Sequence, residues 1–414
     1  MDPSSQLPHL FRTEYRKIVS VLCRSFGMRN LETAEDIASE TFLTASHTWG
    51  IEGLPPNPTA WLYTVARNKA SNHLKRISTF NNQVAAGYRE RQEKEDWQAP
   101  FEAGLSDALF EDSQLRLMFA LCHPAIPGEM QVALCLRLLC GFGIGEIADA
   151  FVTGRETITK RLLRAKERLR EVSVSMELPP YEQLAARIES VLTTIYLLFN
   201  EGYYAGGSEH VVRRDLCLEA IRLATMLVEH GPTNRPETNA LLALMCFHFS
   251  RFDSRIGEAG QVVLYDDQDT SSWDPDWVLR GGYFLRCAAD GDTVTPFHVE
   301  AAIAYHHTVQ GPGKWEHILG LYDQLLQLKP SPVVAMNRAY AVFKVSGARE
   351  GLAALESVKL NDNHLYHALL GVLWSSVDKM QARDHLKKAI EIAQPLAIKN
   401  ALQQKLNALE QPLN

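Results

Sequence analysis

The sequence predicts an all-α protein. Apolar residues recur at helical spacing in nearly every long segment, and strand-like alternation is scarce. The strongest local motif, Gly145 to Arg170, reads as two helices around a tight turn. At 414 residues, with 46% hydrophobic and 22% charged side chains, the chain is long enough for two or three domains, each with a core.

Four segments follow in order. Residues 7–77 form a first helical unit. Residues 78–106, with NNQ, GYRERQEKEDWQ and AP, are polar and weakly patterned, a linker with at most one transient helix. Residues 107–174 form a second compact unit ending in the helix-turn-helix. Pro179-Pro180 stops that unit, and residues 181–410 form a helical C-terminal extension. Towards its end, Ala339, Val342, Gly351 and Leu355, then Leu370, Ala382, Leu386 and Ala389 with Pro395 after them, recur at intervals like those of tetratricopeptide repeats. A generic helical bundle is the alternative there.

A net charge of −7 argues against a chain coated in nucleic acid, but the basic residues concentrate at Arg67–Arg76 and Arg155–Arg170, so any DNA contact is local. The first residues lack the order of a signal peptide, and no uncharged apolar run could cross a bilayer, so a membrane role is not expected. The seven cysteines include no CxxC pair and read as reduced core residues of a cytoplasmic protein. Cys122-His123 and Cys246-Phe247-His248 have no second ligand pair at zinc spacing. The acids Asp266, Asp267, Asp269 and Asp274 lack the glycine and glutamate of a calcium loop and are expected to cap helices or grip neighbouring segments. Gly141–Gly145 has no strand before it to make a dinucleotide fingerprint. No metal, cofactor or catalytic constellation is expected, and the chain does not read as an enzyme.

In Gly145–Arg170, Ile147, Ala148 and Phe151 form the inner face of a short first helix, and Val152-Thr153-Gly154 breaks it. Thr153 and Glu156 have capping-box spacing, so the second helix is expected to start there. Ile158, Leu162, Ala165 and Leu169 make its apolar stripe. Lys160, Arg164 and Arg168, flanked by Arg155, Thr157 and Arg161, make a cationic row suited to the major groove. The same pattern also describes an ordinary amphipathic surface helix.

In Ala34–Ala45 a narrow stripe of Ala34, Ile37, Ala38, Thr41 and Ala45 leaves Glu35, Asp36 and Glu40 facing outward, either as a solvated face or as a partner contact. In Asn57–Arg76, Trp61, Leu62, Val65, Ala66 and Leu74 supply packing. Arg67, Lys69, Lys75 and Arg76 carry charge beside Tyr63, Asn68, Asn72 and His73. Cations mixed with aromatic and amide groups suit unpaired DNA, although a dipole-stabilised basic helix end has the same composition.

In this order, the three segments resemble bacterial RNA polymerase sigma factors of the extracytoplasmic-function group. The resemblance implies that Glu35, Asp36 and Glu40 contact core polymerase at the β′ clamp coiled coil. It implies that Trp61, Tyr63, Arg67, Asn68, Lys69, Asn72, Lys75 and Arg76 open and read the −10 element. Arg155, Thr157, Lys160, Arg161, Arg164 and Arg168 would then read the −35 element, with the β flap contacted by the same domain. Asn72, where the family often has an acid, and Gly154-Arg155 in the turn depart from its pattern. Leu115–His123, Gln131–Leu134, Leu197–Tyr203, Asp267–Asp269, Trp273 and Pro330–Ala335 resemble a subgroup with a long tetratricopeptide-like extension. That extension is expected to regulate or support promoter activity, alone or through a protein partner. The alternative is a stand-alone helix-turn-helix regulator with a sensing repeat domain.

Overall fold

The computed structural model describes residues 3–84, 107–151, 153–203, 214–255, 263, 267–309, 311–393 and 396–410. Every regular element among them is helical, as expected. The chain divides into two compact units, Met1–Leu197 and Leu198–Asn414.

Unit 1 begins with α1 (Pro3–Phe26), α2 (Leu31–Glu52) and α3 (Pro58–Val84). Gly27, at φ +76°, ends α1 with its N–H donating to Cys23 O at 2.8 Å, and one 3₁₀ turn, Met28–Asn30, leads into α2. Helix α1 is not amphipathic where it matters most: all six residues from Ile18 to Cys23 are buried. A helix apolar on every side must be enclosed. Here α2 and α3 pack on it within the N-terminal half, and α4 (Asp107–Leu121) packs on it from the second half. Helix α3 continues to Val84, past the predicted boundary at residue 77, and residues 85–106 of the expected linker lie outside the described residues.

The second half continues with α5 (Gly128–Leu138), α6 (Ile144–Ala150) and α7 (Arg155–Val172). Helix α8 (Tyr181–Tyr203) follows the Pro179-Pro180 break. Most of α8 nevertheless belongs to unit 1, because the division falls after Leu197. The buried Gln131 side chain explains part of this. Its amide donates to His123 O and Ile126 O, and its oxygen accepts the Thr194 hydroxyl at 2.7 Å. The preceding helix has already ended at Val172, and the paired prolines before α8 do not end the core.

Unit 2 is built from α9 (Arg214–Glu229), α10 (Pro236–Ser250), α11 (Pro275–Ala288), α12 (Pro296–Thr308), α13 (Lys314–Leu328), α14 (Pro332–Ser346), α15 (Ala348–Leu355), α16 (His364–Trp374), α17 (Lys379–Ile392) and α18 (Leu396–Glu410). Its enclosed helix is α10, buried from Thr238 through Phe247 and packed by α9, α11 and α12. Beyond it, α14, α16 and α18 start at equal intervals, and each helix packs on the next. Of the small and apolar positions expected to pack there, Ala339, Gly351, Leu355, Leu370, Ala382, Leu386 and Ala389 are buried, Val342 is half-buried, and Pro395 lies outside the described residues. Close approach of α16 and α17 needs Gly371, because a Cβ there would sit 2.7 Å from Leu386 Cγ and 3.3 Å from Ala382 O.

The acidic loop behaves as a capping device. Asp269 accepts from Ser271 N and caps a 3₁₀ turn, Asp274 caps α11 through Asp276 N and Trp277 N, and Asp267 pairs with Lys405 at 3.4 Å. Asp266 lies outside the described residues.

Gly371→Ala should destabilise the protein by about 1–3 kcal/mol in urea denaturation, because overpacking against Leu386 outweighs the roughly 1 kcal/mol gained in helix propensity. Six of the seven thiols are buried and Cys287 is partly exposed. Burial pushes the Cys246 thiol up to about 12 and Cys23 and Cys217 further still. A thiol-exchange reagent at pH 8 should therefore label Cys287 on the folded protein and all seven cysteines only after denaturation.

Candidate nucleic-acid interface

Helix α3 starts where Asn57 Oδ1 accepts the Ala60 N–H at 3.0 Å. Leu62, Ala66 and Ala70 are fully buried and fix its orientation. The opposite side exposes Arg67, Asn68, Asn72, Lys75 and Arg76 together, a solvent-facing basic and amide surface. Trp61, Lys69 and Tyr63 are less exposed and have partners within the fold. Trp61 is half-buried, edge-on to the buried Trp49 at 5.3 Å. Lys69 pairs with Glu40 at 3.1 Å. Tyr63 donates its hydroxyl to Glu14, and its ring lies 5.2 Å from that of Phe110 on α4.

The helix-turn-helix forms around a compact turn. Glu146 accepts Gly143 N at 2.8 Å and steadies the start of α6, and Thr153 N donates to Ala148 O at 2.9 Å as the chain leaves it. Helix α7 begins at Arg155 with Gly154 as its cap, in extended conformation and without a side-chain hydrogen bond. The expected Thr153–Glu156 capping box is therefore not formed, since the helix starts one residue too late for Thr153 to occupy the cap. Val152 lies outside the described residues.

Ile158, Leu162, Ala165 and Leu169 are buried as one stripe, which docks α7 on α5 and α6. Arg155, Thr157, Lys160, Arg164 and Arg168 are exposed. Arg155 lies back against Gly145, Lys160 makes a short-range surface pair with Glu156 at 2.7 Å, and Arg168 pairs with Glu171 at 2.8 Å and donates to Ala125 O at 3.4 Å. Such pairs are worth at most about 1 kcal/mol each and leave the cations available to a phosphate backbone. Arg161 is the exception: half-buried, it pairs with Glu129 at 3.0 Å and lies over the Phe151 ring.

On α2, Asp36 and Glu40 are exposed, as expected, but Glu35 is not. Only 8% of it is accessible, and it is held by Lys166 of α7 at 2.5 Å and by Arg137 of α5 at 3.7 Å. The outward orientation expected for Glu35 is thus corrected: a carboxylate that finds two cations inside the fold turns inward. Around it lie Cys23 and Tyr15, both fully buried. Burial, reinforced by the Glu35 charge, pushes the Tyr15 hydroxyl up to about 12 even though Arg137 lies over its ring.

The same seam carries Arg170–Glu32 at 2.5 Å, Arg24–Asp112 at 2.5 Å and Arg29 donating to the Ser173 hydroxyl at 2.7 Å. None of Arg137, Lys166 or Asp112 stood out in the sequence. One signal was present: Glu35 stands three and seven residues before the buried Ala38 and Phe42, on their side of the helix.

Residues 10–79, spanning most of α1 and all of α2 with the exposed part of α3, match the model of sigma-70 region 2. The chain carries a sigma-70 region 2 domain. Residues 187–289 match a family of unknown function, DUF6596. The chain is 35% identical over 372 residues to an uncharacterized protein of Rhizobium meliloti (strain 1021), covering 88% of this chain and 87% of that protein, and belongs to one family with it. No solved structure matches.

Within the DUF6596 match, Tyr203 ends α8 buried, 5.0 Å from the His248 ring and with the Arg255 guanidinium 3.7 Å above it. Burial and the nearby Arg251, Arg255 and His307 hold His248 well below the usual imidazole range, so it is neutral at physiological pH. Among the described residues no group of three or more His, Cys, Asp or Glu could hold a metal ion, and no helix is long and apolar enough to cross a membrane.

The two sides of α7 should respond differently to truncation. Ile158→Ala is expected to cost about 2–4 kcal/mol in urea denaturation, while Lys160→Ala and Arg164→Ala each change stability by no more than about 0.5 kcal/mol.

Proposed function

We propose that this protein is a promoter-specificity subunit that binds core RNA polymerase, recruits it to promoters and helps open the DNA. The observation that carries the reading is a pair of exposed basic faces, on α3 of the sigma-70 region 2 domain and on the helix-turn-helix α7. Each face lies opposite a buried stripe that fixes its direction. Helix α7 presents Arg155, Thr157, Lys160, Arg164 and Arg168 to the major groove of the −35 element, acting as a region 4 helix, and Arg161 braces that surface. Helix α3 presents Arg67, Asn68, Asn72, Lys75 and Arg76 to the opened −10 strand, with Trp61 and Tyr63 as stacking groups and Lys69 beside them. Asp36 and Glu40 face the β′ clamp coiled coil, and the helix-turn-helix scaffold faces the β flap. The protein performs no covalent step and works in the cytoplasm. The evenly spaced helix pairs at the end of unit 2 support a tetratricopeptide-like extension that regulates or assists initiation through a protein partner or its own chain.

Reconstituted transcription with core polymerase tests the reading. Charge reversal in Lys160→Glu/Arg164→Glu should abolish promoter-directed transcripts while co-purification with core polymerase persists. Failure of the wild-type chain to co-purify with core polymerase would sink the proposal in favour of a stand-alone regulator.

A further inference from the structure

We infer that this chain pairs with a second copy of itself through the exposed face of α11 in unit 2, the two helices lying antiparallel about a twofold axis that passes beside Gly281. The inference goes beyond the promoter reading and does not depend on it.

The inner side of α11 is fixed by Gly281, which is buried and so close to α10 that a Cβ there would stand 2.6 Å from a ring carbon of Phe247. With that side pressed inward, the other side faces water, and Asp276, Leu279, Tyr283 and Arg286 are all exposed on it. Steps of three, four and three residues place these four side chains on one stripe. At its middle, Leu279 is 71% exposed and Tyr283 56%. Isolated apolar residues on a surface are ordinary, but these two border a groove of about 400 Å³. Ile221 and Thr225 of α9, Leu242 and Cys246 of α10, and Trp277 and Phe284 of α11 also line it.

The order of residues along the stripe identifies the occupant. Asp276 and Arg286 stand five residues either side of Gly281, and Leu279 and Tyr283 stand two either side. A twofold contact needs a surface that complements itself when turned end for end. Turning this stripe about Gly281 sets Asp276 against Arg286 of the second copy and Leu279 against Tyr283 of the second copy, and each pair occurs twice. Opposite charges then meet at the two rims and apolar groups meet at the centre, the usual layout of a specific interface.

The neighbouring side chains permit the approach. Gly282 is half-exposed, and a Cβ there would meet only its own Arg286, at 3.9 Å, so it leaves a notch opposite Arg280 of the second copy. Arg280 is drawn aside, its guanidinium 5.0 Å from the Trp277 ring beside the groove. Among the described residues, neither Asp276 nor Arg286 makes an ion pair within its own chain, so both charges remain available to the second copy. One helix pair with a groove on each side belongs to the smaller, weaker class of interface, and a dissociation constant on the order of 10 µM is expected.

Sedimentation equilibrium of the full-length chain provides the test. The mass should rise from 46.5 kDa in dilute solution towards twice that value at about 100 µM. Asp276→Arg sets like charges against each other at both rims, as does Arg286→Asp, and each should weaken pairing about tenfold or more. An equimolar mixture of these two variants regains opposite charges at both rims of a mixed dimer. It should pair as strongly as the wild type, which misfolded chains could not do. Tyr283→Glu should keep the helical circular dichroism and sediment as a single chain. A wild-type chain that keeps its single mass up to roughly 500 µM overturns the inference. So does a dimer that either single reversal leaves intact, or one that the mixture fails to restore, because pairing would then use another face.

Discussion

Enclosure of α1 is the constraint on which unit 1 depends. A helix whose residues Ile18 to Cys23 are all buried cannot stand at the edge of a three-helix domain, because one of its sides would face water. The second half of the unit supplies the missing wall through α4, and α5 to α8 follow from that placement. Once α4 is set, Arg137 and Lys166 arrive beside α2, and the carboxylate of Glu35 has two cations within reach. The apolar contact brings the halves together without direction. The ion triad around the buried Glu35 then fixes which residues face each other, since a charge removed from water is tolerated only where its partner stands.

The same logic sorts the charges of the unit by task. Glu32 and Glu35, three residues apart on α2, turn towards α7, whereas Asp36 and Glu40, four apart, share the solvent side. On α7, Lys166 and Arg170 turn to the seam, while Lys160, Arg164 and Arg168 remain on the open face. Each helix therefore divides its charges between holding the unit together and meeting a partner. A count of acids and bases on either segment conceals that division.

Unit 2 solves its enclosure problem with α10 and then grows by near-neighbour packing, so its later helices depend on local fit such as Gly371 beneath Leu386. Its Tyr203, His248, Arg251 and Arg255 form an aromatic and cationic cluster in which burial keeps the imidazole neutral. The acids Asp269 and Asp274 cap their own elements, which gives local sequence a direct structural use without a ligand.

Helical class, the stripe Ile158–Leu162–Ala165–Leu169, the exposed basic face beside it and the basic side of α3 were all legible in the sequence. Each is a periodicity within one helix, and periodicity determines which side of a helix is apolar. Capping at Gly154 rather than Thr153 was less legible, because the choice turns on where the preceding turn delivers the chain. The inward turn of Glu35 and the union of the two helical halves of unit 1 were decided only in three dimensions. So was the boundary inside α8 rather than at Pro179-Pro180. These depend on residues far apart in sequence: Lys166 and Arg137 for Glu35, α4 for α1, and Gln131 for Thr194. A buried charge or amide takes its orientation from whichever partner the packed core brings within hydrogen-bonding distance, and no local pattern encodes that partner.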